Sequence, residues 1–268
     1  MKRINILLWV MSILLTLSIA VYQRLTGPTK PVRGKIELSD GSTINYKLLR
    51  SEVSGRDAEV RIYTGDSSIA GGVTFKRYKS NDSWIYQEMN FKDGYLTAVL
   101  PTQLPAGKVI YKVELRKGTW RYPLTEEPVI LRYKGDVPAG VLIPHILFMF
   151  AALLLSVRSG LQSVFVNNKL KLYASLTLIS LVLGGLLFGP IVQKYAFGAY
   201  WTGFPFGHDL TDNKTAITVV FWLIAYLTAF LQKRSARWWV LAAVIVMLAT
   251  YLIPHSVLGS ELDYTKMP

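Results

Sequence analysis

Residues 189–215 read GPIVQKYAFGAYWTGFPFGHDLTDNKT, and the setting of this stretch decides the fold. Before it lies an apolar run, Leu172–Phe188, and after it another, Ala216–Leu231, neither holding an Asp, Glu, Lys or Arg. Two such runs around a stretch rich in Gly, aromatics and acid read as membrane spans joined by a loop, because a bilayer core takes ~20 apolar residues per helix. Working outward, Ala139–Val157 and Trp238–Ile253 are two more charge-free blocks, and Ile4–Tyr22, behind Lys2 and Arg3, is a fifth. Ser18-Ile19-Ala20 offers a small-residue cleavage site, so residues 1–20 also fit a signal peptide; the length of the run favours an uncleaved anchor over 1–25. The chain has no Cys, which removes disulfides and thiolate metal sites.

Charge sorts the connecting segments. Lys2, Arg3, Arg158, Lys169, Lys171, Lys233, Arg234 and Arg237 fall on one side with no acidic residue among them. The other side receives residues 32–135 with Asp136 directly after them, the loop 189–215 and a tail, 259–268, and every acid of the chain lies there. By the positive-inside rule the N-terminus is cytoplasmic and the C-terminus outside. The formal net charge of +13 is spread over inner loops and the exported segment, with no single basic groove, which argues against nucleic acid. Basic inner loops without cysteine suit a bacterial inner membrane, with the exported segment in the periplasm. The expected partners are the lipid bilayer and other membrane or periplasmic proteins.

Between residues 32 and 135 the pattern changes to short alternating runs. Strands are expected at Gly34–Leu38, Thr43–Leu49, Ala58–Tyr63, Thr74–Lys79, Ile85–Phe91, Tyr95–Val99, Lys108–Arg116 and Val129–Tyr133. Asp40-Gly41, Gly71-Gly72, Asp93-Gly94 and Lys117-Gly118 supply turns. In Lys108–Arg116, Val109, Tyr111, Val113 and Leu115 alternate with mostly polar neighbours and form a core-facing set. Trp84, Tyr86, Tyr95, Trp120 and Tyr122 are assigned to core and rim. The segment resembles an immunoglobulin or fibronectin type III module, which implies a fold and no activity. The expected fold class is therefore α+β: a five-helix transmembrane bundle, four of its helices in 138–258, with an extracytoplasmic antiparallel β-sandwich inserted between helices 1 and 2.

Candidate chemistry collects on the outer face. His145 follows Pro144 at the start of the second span, His255 follows Pro254 at the end of the fifth, and His208 lies in the loop. Together they are a candidate ligand set for a transition metal or, as an axial pair, for haem. The competing reading is that each Pro-His marks a helix boundary where the ring bonds a free backbone group. His208, Asp209 and Asp212 are acid–base candidates for a membrane-embedded enzyme acting on a lipid-linked substrate. Against that, Asp212 or Thr211 is placed to cap the fourth span. Lys194 is expected to pair with Asp209 or Glu261.

Tyr195, Trp201, Phe204 and Phe206 interleave with Gly198, Gly203 and Gly207, an arrangement expected to form a re-entrant aromatic cap and interaction surface. Gly184-Gly185 favours close helix contact. No nucleotide-binding, kinase, zinc-protease or nucleophile-elbow motif occurs, and no span has an ionisable residue at its middle, which argues against a proton-coupled pump. The leading expectation is a scaffold or accessory subunit of an envelope complex, followed by a redox or metal protein, then the enzyme.

Overall fold

The computed structural model describes residues 2–166, 168–253 and 261–266. The chain is α+β and divides into two compact units, one built from residues 1–28, 137–195 and 199–260, the other from 29–136, 196–198 and 261–268.

The first unit is helical. It contains α1 (Lys2–Thr26), α2 (Ala139–Phe165), α3 (Leu170–Leu181), a π-helical segment (Val182–Phe188), α4 (Gly189–Phe197) up to Tyr195, α5 (Leu210–Phe230) and α6 (Ala236–Leu252). α3, the π segment and α4 are one continuous rod, Leu170–Phe197. Pro190 cannot donate a hydrogen bond to the preceding turn and its ring crowds the carbonyl there; the wider winding just before it accommodates both.

Four rods among the described residues are long and apolar enough to cross a membrane: α1, α2, Leu170–Phe197 and α5. α6 is apolar but has 17 residues, at the lower edge of what spans a bilayer, so four candidates stand where five were expected. Ala152, Ala174, Ala225 and Ala243 are buried between helices together with Trp222, while Leu14, Leu147, Ile179 and Ile245 face outward. Small residues inside and large aliphatics outside suit helices solvated by lipid, where packing holds the bundle together. Gly184 shows this directly: a Cβ there would lie 3.0 Å from Met149 N and from Phe148 Cβ of α2. At Gly185 a Cβ would lie 2.8 Å from Thr215 Cγ2 of α5.

The helices alternate in direction and so define two ends. At the basic end Arg158 of α2 bonds Asn5 of α1, and Arg237 of α6 approaches the Val164 carbonyl of α2. At the loop end Lys214 Nζ of α5 donates to Ile253 O at 2.9 Å, and Gln23 of α1 donates to the Tyr251 carbonyl of α6.

The second unit holds eleven strands among the described residues: β1 (Val32–Glu37), β2 (Thr43–Leu48), β3 (Ser51–Val53), β4 (Ala58–Tyr63), β5 (Ile69–Arg77), β6 (Ile85–Glu88), β7 (Asn90–Lys92), β8 (Tyr95–Leu100), β9 (Lys108–Lys117), β10 (Trp120–Pro123) and β11 (Val129–Lys134). They form a two-stranded sheet β1-β2, a sheet β3-β11-β9-β5-β6 in which β10 also pairs with β9, and a sheet β4-β8-β7. Pairing is antiparallel except for β3 with β11, which is parallel. One core draws on all three sheets, with Leu48, Ile62, Val73, Leu96, Leu115 and Leu131 among its members. Asp93 (φ 53°) and Gly94 (φ 81°) make the two-residue turn between β7 and β8, where both central residues need positive φ.

Several local expectations change. β3 and β10 were not foreseen, and β5 begins at Ile69, running through Gly71-Gly72 where a turn was expected. The run Ile85–Phe91 is two strands: β6 pairs with β5 and β7 with β8, so the chain changes sheets at Met89. Met89 is buried, its N–H donates to Gly71 O at 2.8 Å, and Gly71 leaves room for the thioether, since a Cβ there would lie 2.9 Å from Sδ. Trp84, Tyr86 and Trp120 are exposed and belong to the surface, where Lys76 sits over the Trp84 ring.

The tail 261–266 packs on this unit. Leu262 N donates to Ala106 O at 3.1 Å and Tyr264 Oη to Gln103 Oε1 at 2.9 Å, with the Arg77 guanidinium over the Tyr264 ring. Glu261 pairs with both Lys108 and Lys79. Burial works against the Glu261 carboxylate, but the two ammonium groups outweigh it and hold its pKa below the ordinary value. Lys108, the one buried polar residue of the β9 alternation, is pushed down by the same burial.

Candidate functional site

The loop end is organised by α5. Helix α5 starts at Leu210 because Asp209 caps it, its Oδ1 accepting from Thr211 N at 2.7 Å and Asp212 N at 3.3 Å. The cap is therefore Asp209, three residues before Asp212 and two before Thr211, and Asp212 is released for another task. Its Oδ2 accepts from Thr202 N (2.6 Å), Gly203 N (2.9 Å), Gln193 Nε2 (3.0 Å) and Thr202 Oγ1 (3.3 Å). Asn213 Oδ1 takes Phe204 N at 2.7 Å, and Trp201 Nε1 donates to Phe204 O at 3.0 Å. Residues 199–209 are thus pinned to the first turn of α5 by two adjacent side chains.

The pinned loop turns two of its aromatic side chains to the exterior. Residues 189–197 extend the third rod as α4, and Phe204 and Phe206 are 78% and 83% exposed. Tyr195 and Tyr200 are exposed as well, Trp201 is half-buried, and Lys194 Nζ lies 5.5 Å from the centre of the Tyr200 ring.

His145 and His208 stand in different surroundings. His145 lies within α2, half-buried, its Nδ1 2.9 Å from Gly184 O. A carbonyl only accepts, so Nδ1 carries the proton, and the ring serves the π segment, whose Gly184 O also takes the N–H of Gly189. His208 is exposed beside the Asp209 cap. His255 lies outside the described residues. Among the described residues no three His, Asp or Glu come together to hold a metal, and nothing there supports the haem or metal reading. Asp209 and Asp212, offered as acid–base groups, accept backbone donors.

The sequence reading assigned Arg158 to an inner loop; the structure puts it inside α2, 1% exposed. Nη1 donates to Gln162 Oε1 and Nη2 to Asn5 Oδ1, both at 2.6 Å. The rings of Tyr173 and Trp9 lie 4.8 and 5.4 Å from Cζ. Among the described residues no carboxylate pairs with it, and Nε has no acceptor. The missed signal is periodic: Ser156, Ser159 and Ser163 recur at helical spacing on a small, polar face that continues past Val157.

One layer beyond this arginine, past its partners Asn5 and Gln162, lies a cavity of about 370 Å³ whose polar lining adds Asn168, Lys169 and Tyr173 and whose apolar wall is Ile4, Leu8 and Val166. Compared with known protein families, curated proteins and solved structures, the chain matches none of them.

Proposed function

We propose that the chain is an integral membrane scaffold or accessory subunit of a bacterial envelope complex. In this reading the helical unit, α6 included, sits in the inner membrane with its basic end in the cytoplasm. The β unit is then an immunoglobulin-like sandwich presented in the periplasm, and the loop end faces the same compartment. The sorting of charge supports the orientation: Lys2, Arg3, Lys169, Lys171, Lys233 and Arg237 belong to the basic end, Asp209 and Asp212 to the loop end.

The observation that carries the reading is the loop. Phe204 and Phe206, either side of Pro205, are held outward on a backbone fixed by the buried Asp212 and the half-buried Asn213, although apolar side chains gain nothing by facing water. Such a feature serves contact with a membrane or periplasmic protein. No observation favours the enzyme, since both aspartates are occupied with backbone donors.

The chain has no Cys, so single cysteines report cleanly. With Phe206→Cys carrying a benzophenone in native membranes, one discrete protein adduct is expected, and it should disappear when Phe204→Asp is added. Adducts with lipid alone would overturn the reading. An impermeant maleimide applied to spheroplasts should label Phe206→Cys and Asp93→Cys but not Arg234→Cys; labelling of Arg234→Cys would reverse the orientation.

A further inference from the structure

We propose that the cavity beside Arg158, at the basic end of the helical unit, binds an anionic phosphate group carried by a lipid headgroup.

The polarity of the cavity follows from Arg158. A guanidinium donates and never accepts, so the side-chain oxygens of Asn5 and Gln162 must face it and their NH2 groups must face elsewhere. The Gln162 amide then donates to Asn168 Oδ1, which leaves Asn168 with its own NH2 outward. One buried arginine thereby sets the direction of three amides, and the free ends of Asn5 and Asn168 on the cavity wall are donors. Lys169 and the Tyr173 hydroxyl extend the same chemistry. Neither Asp nor Glu is among the lining residues.

Two further features point to an anion. Helix α3 starts at the cavity with Lys169 at its N-cap, and among the described residues no side chain caps its first-turn N–H groups, so the positive end of the helix faces the cavity. Arg158 is a buried cation with neutral amides and aromatic faces around it and an unbonded Nε. A buried charge without a counter-ion is costly, and an anion in the adjoining cavity offsets that cost.

Phosphate fits best because its oxygens accept from several donors at once, at a volume typical of small-ligand sites. The lipid source follows from the wall: Ile4 belongs to the apolar outer surface of α1, so acyl chains continue into the bilayer while the headgroup enters the cavity. A choline headgroup would set a cation beside Lys169 and Arg158, which selects anionic lipid.

The test uses the full chain in detergent, read by native mass spectrometry and thermal melting with phosphatidylglycerol, phosphatidylcholine or inorganic phosphate. Phosphatidylglycerol is expected to be retained about tenfold better than phosphatidylcholine and to raise the melting temperature. Arg158→Gln should lose about tenfold in retention. In case that variant misfolds, Asn168→Ala with Lys169→Ala leaves Arg158 and its two acceptors in place and should also lose retention, whereas Lys233→Ala, at the same end but off the cavity, should not. Stabilisation by inorganic phosphate equal to that by phosphatidylglycerol supports the anion site and assigns it to free phosphate. Equal retention of both lipids without a phosphate effect overturns the proposal. So does retention unchanged by the wall variant, or lost equally on Lys233→Ala.

Discussion

Replacing Asp212 with alanine tests whether the loop is held as described. The carboxylate gathers four donors on one oxygen, two of them the backbone N–H groups of Thr202 and Gly203. Gly203 is buried and Thr202 half-buried. An orphaned buried donor costs roughly 1–3 kcal/mol, so counting Gly203 in full and Thr202 at about half gives about 2–4 kcal/mol. The loop can open and let water replace the lost acceptor, so the effect should be local and not global. Hydrogen exchange of the purified protein should therefore show the Thr202 and Gly203 amides exchanging about 30- to 1,000-fold faster, with the helix interiors unchanged. Asp212→Asn keeps one oxygen, and all four bonds converge on one, so only the charge-assisted part is lost, about tenfold in exchange. Exchange of both amides within about threefold of wild type in Asp212→Ala would refute the anchoring argument.

Two other perturbations follow from the packing. Glu261 has a folded-state pKa below its ordinary 4.5, so its contribution is present above that value and is lost as pH falls through the lowered one. The Leu262 N–H, bonded to Ala106 O, should gain exchange protection as pH rises from strongly acidic values toward 4.5 and then level off, after correction for intrinsic rates. Glu261→Gln should flatten this dependence and destabilise the tail by about 1–3 kcal/mol, because Lys108 remains buried without its anion. Lys108 adds no slope in acid, being protonated there in both states. At the helix contact, Gly184→Leu must displace Met149 or Phe148 and should lower stability to detergent unfolding by about 1–3 kcal/mol, with Gly184→Ala milder. An unchanged melting temperature in Gly184→Leu would contradict the close approach.

Legibility varied with the range of the interaction. The set Val109, Tyr111, Val113 and Leu115 was readable from alternation, and each of these residues is buried. Ile85–Phe91 also looked like one strand, but its two halves are claimed by different sheets, and only the place kept open at Gly71 explains why Met89 is the pivot. At the loop end, helix-start statistics correctly put a capping carboxylate nearby but chose the wrong aspartate. Asp209 and Asp212 are equally good caps in isolation, and Asp212 is drawn away by backbone donors up to ten residues earlier in the chain. His145 and His208 looked alike because each lay near a helix end; what distinguishes His145 is the carbonyl that the π winding presents to it.

By itself the sequence determined where apolar length suffices for a span, which connecting segments are basic, and where alternation calls for strands. These are properties of neighbouring residues, set by side-chain transfer energies and backbone period, and they survive without any partner. Only the tertiary structure decided that Arg158 is an interior residue, because its environment is made by Asn5, 153 positions away, and by rings from two other helices. A charge is tolerable or costly according to what surrounds it, and that surrounding exists only once distant segments have packed.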